Sequence, residues 1–350
     1  MRTDVGTQPG SLPAPAMAAW LTMAYRGSQA VIAATKLNVP DALGKGPRTS
    51  AEVAQATGTR PDAMHRLLRA LAAFDVVRDL GDGRFELTAI GDSLRADAPN
   101  SVRPMALMYG SDSSWEACGQ LAECVRTGET AYRILHGVDN LFPYLDKDPE
   151  QARIFDAGQS ASAALVGAVA AQAYDFSGGR RVVDVGGGRG TVLASILKAH
   201  PGLRGTLLDL PRVAQGAAAH FASEGLADRA TAVGGDMFAG VPAGGDIYLL
   251  SHVIHDWGEE DSIKILRSCR RVMPADARLL ILERVMPERV EPSLEVQVKV
   301  VQDITMMIAH GTARERTARE FKVLRDAACL RLVRILPTPA PVSLVEAAPA

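Results

Sequence analysis

Val182-Val183-Asp184-Val185-Gly186-Gly187-Gly188-Arg189-Gly190 is the stretch that decides how this chain reads. A short apolar run meets an aspartate and passes into glycines where a strand should turn into a helix. Glycine admits backbone conformations closed to other residues and lets a ligand approach the main chain. The helix expected next, over residues 191–199, offers unpaired N–H groups and a partial positive charge. A turn of this kind signals a nucleotide-like ligand. The residues that follow select which one.

Downstream the pattern repeats in strand-then-helix units. Thr206-Leu207-Leu208-Asp209 closes a second apolar run on an acid about 20 residues beyond the glycines, where a ribose hydroxyl is normally held. A third strand near 230–233 leads to Gly235-Asp236-Met237-Phe238. A fourth, 246–250, leads to Ser251-His252-Val253-Ile254-His255-Asp256-Trp257, and a fifth, 278–282, ends at Glu283. Helical periodicity fills the gaps, as at Ile263, Leu266 and Val272. This alternation predicts a parallel, doubly wound α/β sheet with its ligand at the carboxyl ends of the strands. Asp209, Asp236, Ser251, His255 and Glu283 all fall at such ends.

A hydride-transfer enzyme would want G-x-G-x-x-G, but Thr191 stands where that pattern needs its third glycine. Asp184 ahead of the turn suits a cationic ligand better than a pyrophosphate. At these residues the chain resembles the class I S-adenosylmethionine-dependent methyltransferases. Within them it is similar to the small-molecule O-methyltransferases of the plant caffeate type and their bacterial antibiotic-tailoring relatives. The resemblance rests on 183–190, Gly235-Asp236-Met237-Phe238, His255-Asp256-Trp257, Glu283 and Glu315-Arg316-Thr317.

It implies a Rossmann-like domain that binds S-adenosylmethionine and releases S-adenosylhomocysteine. Gly186 and Gly188 would leave room for the methionine tail, and Asp209 would take the ribose hydroxyls. Asp236 would accept from the adenine amine, with Met237 on the ring face. Ser251 stands where plant relatives carry a lysine. Arg153 is placed either to reach the cofactor carboxylate or to sit solvated on the surface. His255 is the expected general base, mostly neutral at pH 7 with an ordinary pKa near 6.5. Glu283 and Glu315 are expected to hold its other nitrogen. Asp256 follows directly, so its side chain is expected to diverge from the ring. The resemblance places Asp303, Met306, Met307 and His310 in the acceptor pocket. Met105, Met108, Trp115 and Phe155 are candidates to line it, each taken alone reading more readily as ordinary core. A His with two Glu could bind a transition metal in principle; the expectation is no metal.

The first hundred residues carry a different pattern. Thr49-Ser50-Ala51-Glu52 is a capping box opening a short helix, and Pro61 starts a second with Met64, Leu67, Leu68, Leu71 and Phe74 at helical spacing. Strands at 76–80 and 84–88 flank Gly81-Asp82-Gly83. Helix, turn, helix and hairpin make a winged-helix signature, whose familiar use is DNA reading. Eleven Lys and Arg against ten Asp and Glu over residues 1–100 leave no basic stripe for it. In the family resembled, this segment serves dimerisation and helps close the partner's pocket. An upstream helix over 20–37 is apolar on most faces, as one buried between protomers would be.

Three hundred and fifty residues suggest more than one domain. The expected division is a disordered tail (1–16), a winged-helix-like dimerisation domain (17–100), a helical connector contributing to the pocket (101–175) and the catalytic domain (176–350). A net charge of −2 gives no reason to expect nucleic acid or an anionic membrane as partner. No uninterrupted apolar run approaches the roughly 18 residues that span a bilayer. Four cysteines without a C-x-x-C pair read as buried free thiols of a cytoplasmic protein. The expected activity is methyl transfer to an aromatic hydroxyl of a small secondary metabolite by a homodimer. The rivals are N- or C-methylation, catalysis by positioning alone, and a winged-helix DNA-binding regulator.

Overall fold

The computed structural model describes residues 12–350 of the chain. They form two compact units, 12–111 and 112–350. Most of the expected tail lies outside the described residues, and its last three begin the helix Ala14–Met23.

The larger unit is built on a seven-stranded sheet. In chain order its strands are β1 (Arg181–Val185), β2 (Arg204–Asp209), β3 (Ala230–Gly234), β4 (Ile247–Ser251), β5 (Arg278–Glu283), β6 (Leu330–Pro337) and β7 (Ser343–Pro349). They lie in the order β6-β7-β5-β4-β1-β2-β3. The first five are parallel, while β7 runs antiparallel to β5 and β6 to β7.

Side chains alternate between sheet faces, and here both faces are buried, which is why the strands read as apolar runs rather than alternating ones. Val182, Leu207, Leu249 and Leu280 enter one core with Leu193, Ile196 and Leu197 of the helix Thr191–Ala199. Val183, Leu208, Leu250 and Ile281 enter the other with Ile265 and Leu266 of the helix Glu259–Val272. The chain leaves β1 toward β2 on one side and returns through β4 on the other. The strand order therefore reverses between β1 and β4, where such sheets take ligands.

The helix Pro149–Ala173 is long and apolar enough, by length and composition alone, to cross a membrane. Only its C-terminal part enters a core, through the buried Val166, Ala170 and Ala171. Its small residues allow close approach: a Cβ on Gly167 would lie 2.7 Å from Ser195 Oγ.

In the smaller unit Thr49 and Glu52 form the expected capping box on the helix Ser50–Thr57. Pro61–Ala73 follows, then the hairpin Val77–Gly81 and Arg84–Leu87. A two-residue strand, Arg48–Thr49, pairs with the hairpin's second strand and was not anticipated. Leu68, Leu71 and Phe85 are fully buried in its core. Phe74, expected in the apolar face, is instead exposed. The upstream segment is two helices, Ala14–Met23 and Tyr25–Lys36, with Trp20, Leu21 and Tyr25 exposed.

Candidate active site

The glycine turn lies at the end of β1, with φ of +70°, +59° and +81° at Gly186, Gly188 and Gly190. A Cβ on Gly190 would sit 2.5 Å from Phe221 Cζ, so packing alone requires glycine there. Nothing lies within 4 Å of a Cβ built on Gly188, which faces open space. Asp209, at the end of β2, receives the Gly188 N–H at 2.8 Å on one oxygen and the Leu210 N–H at 2.7 Å on the other. Burial raises its pKa, and those two amides oppose the rise. Each oxygen keeps lone-pair capacity for a further donor.

Asp184 lies beneath this turn, fully buried, with both oxygens unpartnered. Its Oδ2 is 2.3 Å from where a Gly187 Cβ would stand. Burial, reinforced by the Asp209 charge, pushes its carboxyl up to about 7. Asp236 is exposed after β3, accepting the Phe238 N–H at 2.9 Å, and Met237 is half-buried beside the second core. Ser251 closes β4 with its hydroxyl 3.5 Å from His252 Nδ1. Asp209 and Asp236, at the ends of β2 and β3, offer acceptors suited to the hydroxyls and amine of a nucleoside rather than to phosphates.

Arg153 sits on an exposed helix face, its side chain 70% accessible and ion-paired with Glu150 at 2.7 Å. Met105 belongs to the smaller unit and is half-buried, while Trp115 is exposed on the larger one.

His255 rides a one-turn 3-10 helix, Ile254–Asp256, beyond β4. Its Nδ1 lies 3.0 Å from Glu283 Oε2 and 3.3 Å from Glu315 Oε1, so both expected carboxylates meet the same nitrogen. The contacts are at ion-pair distance but off the hydrogen-bonding line: Nδ1 and Glu283 Oε2 have no in-line partner. Glu283 does more than face the ring. Its Oε1 accepts the backbone N–H groups of Val253, Ile254 and His255 at 3.1, 2.9 and 3.3 Å.

Two expectations need correction here. Asp256 does not diverge: its Oδ1 is 3.4 Å from His255 Nε2. The segment is a tight turn, in which successive side chains are about a third of a rotation apart rather than on opposite faces. Nor is the ring's pKa ordinary. Burial lowers the His255 pKa, but Glu283, Asp256 and Glu315 outweigh it and hold it well above the usual 6.5. Glu283 is correspondingly held down at about 2: burial would raise it, but the His255 cation and the backbone amides prevail. Burial lifts Asp256 to about 6. Neighbouring His252 and His310 are pushed down to about 3 and about 4, by burial and by the His255 charge.

Glu315 is held by Arg284, which the sequence reading did not single out, and by Asp303, which it placed elsewhere. Arg284 donates to its Oε1 at 3.2 Å, and Asp303 accepts its backbone N–H at 2.8 Å. Asp303, expected in the acceptor pocket, thus fastens the loop carrying Glu315. With Met307 it also lines an open cleft of about 670 Å³ bounded by Gly258, Asp261, Gly311 and Arg314. The lining of that cleft does not include His255, so it borders the chemistry rather than containing it. Met306 is buried on the same helix, Leu294–His310. His255, Glu283 and Glu315 offer ligand atoms within 4.8 Å of one another, a spacing that could hold a divalent ion. Arg284 already supplies positive charge there.

The O-methyltransferase domain family matches residues 118–331, and the O-methyltransferase dimerisation domain family matches 20–97. The chain belongs to the S-adenosylmethionine-dependent O-methyltransferase family. It is 39% identical over 340 residues to a phenazine O-methyltransferase of Lysobacter antibioticus, covering 97% of this chain and 98% of that one. It is 38% identical over 289 residues to the 8-amino-8-demethylriboflavin N,N-dimethyltransferase of Streptomyces davaonensis, 81% of each. A methyltransferase in calicheamicin biosynthesis, solved in its SAH-bound form, superposes with a TM-score of 0.85 at 38% identity, over 97% of this chain and all of that one.

Of the four cysteines of this O-methyltransferase, Cys124 and Cys269 are buried. Cys118 and Cys329 are exposed, against the expectation that all four would be inside.

Proposed function

We propose that this O-methyltransferase methylates an aromatic hydroxyl of a small secondary metabolite, with His255 as the general base, acting as a cytoplasmic homodimer. S-adenosylmethionine, when bound, supplies a methyl group on a sulfonium. Gly186 and Gly188 would border its amino-acid tail, Asp209 its ribose, Asp236 and Met237 its adenine, and Ser251 the end of β4 beside it. The relatives' names, a phenazine O-methyltransferase and a calicheamicin-pathway enzyme among them, support an aromatic antibiotic-like acceptor.

The observation carrying the base assignment is the double carboxylate contact on His255 Nδ1, which dedicates that nitrogen to support; Nε2, which faces Asp256 Oδ1 at 3.4 Å, is the nitrogen an acceptor would share. A phenol near pKa 10 lies about 3.5 units above an ordinary histidine, a transfer costing roughly 5 kcal/mol. Raising the histidine narrows that gap but shrinks the fraction free to accept at pH 7, a compromise general bases must strike. His255 Nε2 would take the acceptor's proton while the methyl passes from the sulfonium sulfur to that oxygen, the S–C bond breaking to leave S-adenosylhomocysteine. The resulting imidazolium is the charge state Glu283 and Glu315 favour.

Initial rates for His255→Ala with a phenolic acceptor test the assignment: a loss of about 10²- to 10⁴-fold in kcat is expected. A loss of only a few-fold would leave positioning alone. The N,N-dimethyltransferase relative favours one second reading, an amine acceptor. An acceptor screen with mass detection separates the two by the atom that gains the methyl.

A further inference from the structure

We infer that Arg316 is a positioning residue for methyl transfer, gripping from the carbonyl side the turn that Glu283 grips from the amide side. The inference rests on His255 being the base. The turn 254–256 is too short to satisfy its own backbone, so its polar groups need outside partners. Its N–H groups converge on Glu283 Oε1. Its carbonyls go elsewhere. Arg316 Nη1 donates to Ile254 O at 2.7 Å, and Nη2 donates to Trp257 O at 2.6 Å, on either side of His255. Nη2 also donates to Ser262 Oγ at 3.2 Å, whose hydroxyl reaches Trp257 O at 3.2 Å.

The neighbouring residues make the same grip. Arg314 N–H donates to His255 O at 2.9 Å, and Glu315 contacts the ring. Three successive residues, 314–316, therefore hold backbone before the histidine, its own carbonyl, its ring and backbone after it. Arg316 anchors them, because its guanidinium spans the turn while the segment pairs as the two-residue strand Arg316–Thr317 against Val285–Met286, immediately after Glu283 and Arg284.

A purely space-filling side chain would not be an arginine here. Arg316 is 1% exposed, and among the described residues no carboxylate is within ion-pair distance of it. Burying a charge without a counter-charge is unfavourable unless its hydrogen bonds are well directed. Four of the oxygens it addresses belong to the histidine turn or its immediate supports. The planar fork matches two carbonyls at fixed separation, which an ammonium cannot do.

Arg316→Lys and Arg316→Ala, each alone and in a His255→Ala background, test this with a phenolic acceptor. Arg316→Lys should lose about 10- to 100-fold in kcat, as small displacements of a reacting group do, with S-adenosylhomocysteine affinity within about twofold of the parent. Millimolar guanidinium should restore a substantial part of the Arg316→Ala loss, which repair of mere stability would not do. In the His255→Ala background the Arg316→Lys penalty should disappear, because residues acting through one group are not additive.

A wild-type kcat in Arg316→Lys overturns the inference, as does a penalty that multiplies in full with His255→Ala. Should Arg316→Ala fail to fold, the lysine variant and its double mutant carry the test. A mild His255→Ala phenotype refutes the base reading and this inference together. A severe one with a multiplying Arg316 penalty refutes this inference alone.

Discussion

Replacing Glu283 by glutamine isolates the charge on one oxygen from the hydrogen bonds on the other. The carboxamide oxygen can keep the three N–H groups of Val253, Ile254 and His255, while the –NH2 turns toward His255 Nδ1. At 3.0 Å, unit charges attract by about 5.5 kcal/mol at an effective dielectric of 20. Glu315 at 3.3 Å and Asp256 at 3.4 Å remain and recover part of that. Burial then acts with less opposition, and the His255 titration should fall by at least about one pH unit.

The new –NH2 also donates toward Nδ1, which moves the neutral ring's proton to Nε2, the nitrogen needed as acceptor. An error of tautomer of this kind in a triad lowers kcat by about 10⁴-fold. The expected kcat loss here is about 10³-fold, since Glu315 still favours Nδ1–H. The assay is two-dimensional NMR of ring-labelled histidine across pH 5 to 10 for the titration, with initial rates over the same range for kcat/KM. Wild type should show an acid limb above pH 6.5, and the variant a limb displaced downward on a much lower plateau. An unmoved His255 titration would refute the electrostatic reasoning, whatever the rate does.

Stability follows with a definite sign. The Glu283 carboxyl is depressed, so its contribution is present above about pH 4.5 and lost as pH falls toward 2. The His255 pKa is raised, so its contribution is present below about 6.5 and lost as pH rises through the folded value. Chemical denaturation of wild type and Glu283→Gln should therefore differ most between those limits.

Asp184→Asn should stabilise the fold at pH 8 by at most about 4 kcal/mol and much less at pH 5, because the buried acid rises from 3.8 to about 7 and resists ionising; equal melting shifts at both pH values would sink this. Gly188→Ala should lower stability by about 1–2 kcal/mol from its φ of +59° and weaken S-adenosylhomocysteine binding in calorimetry. Gly190→Ala, with a Cβ 2.5 Å from Phe221, should be the more destabilising of the two, by about 2–3 kcal/mol; the reverse ranking would contradict the packing. Arg153→Ala should leave cofactor-product affinity and the melting temperature unchanged, as expected of an exposed pair. A tenfold loss of affinity would place Arg153 at the cofactor.

Much of this was legible in the residues. Apolar runs ending at Asp209, Ser251 and Glu283 locate strand ends because a doubly wound sheet buries both faces and exposes only its edges. The capping box at Thr49 and Glu52 is a local pattern and formed as read. What escaped was set by tertiary contact. Arg284 and Arg316 adjoin acids already singled out, yet nothing in their spacing says that one neutralises Glu315 and the other takes two carbonyls. Asp256 was misread because an extended chain was assumed where the backbone makes a 3-10 turn. The pKa of His255 was misread for a related reason: an ordinary value ignores the adjacent Asp256 and two carboxylates brought in from distant segments.

The bond from the Glu315 amide to Asp303 has an evolutionary consequence. Asp303 stands one helical turn before Met306 and Met307, on the helix proposed to border the acceptor. Flexible thioethers tolerate exchange, whereas the aspartate ties the same rod to the histidine's support. Directed-evolution libraries that vary the two methionines and spare the aspartate should retain turnover while exploring new compounds. Libraries that randomise all three should be dominated by inactive clones, with the few survivors carrying Asn or Ser at 303 to keep an oxygen facing that amide.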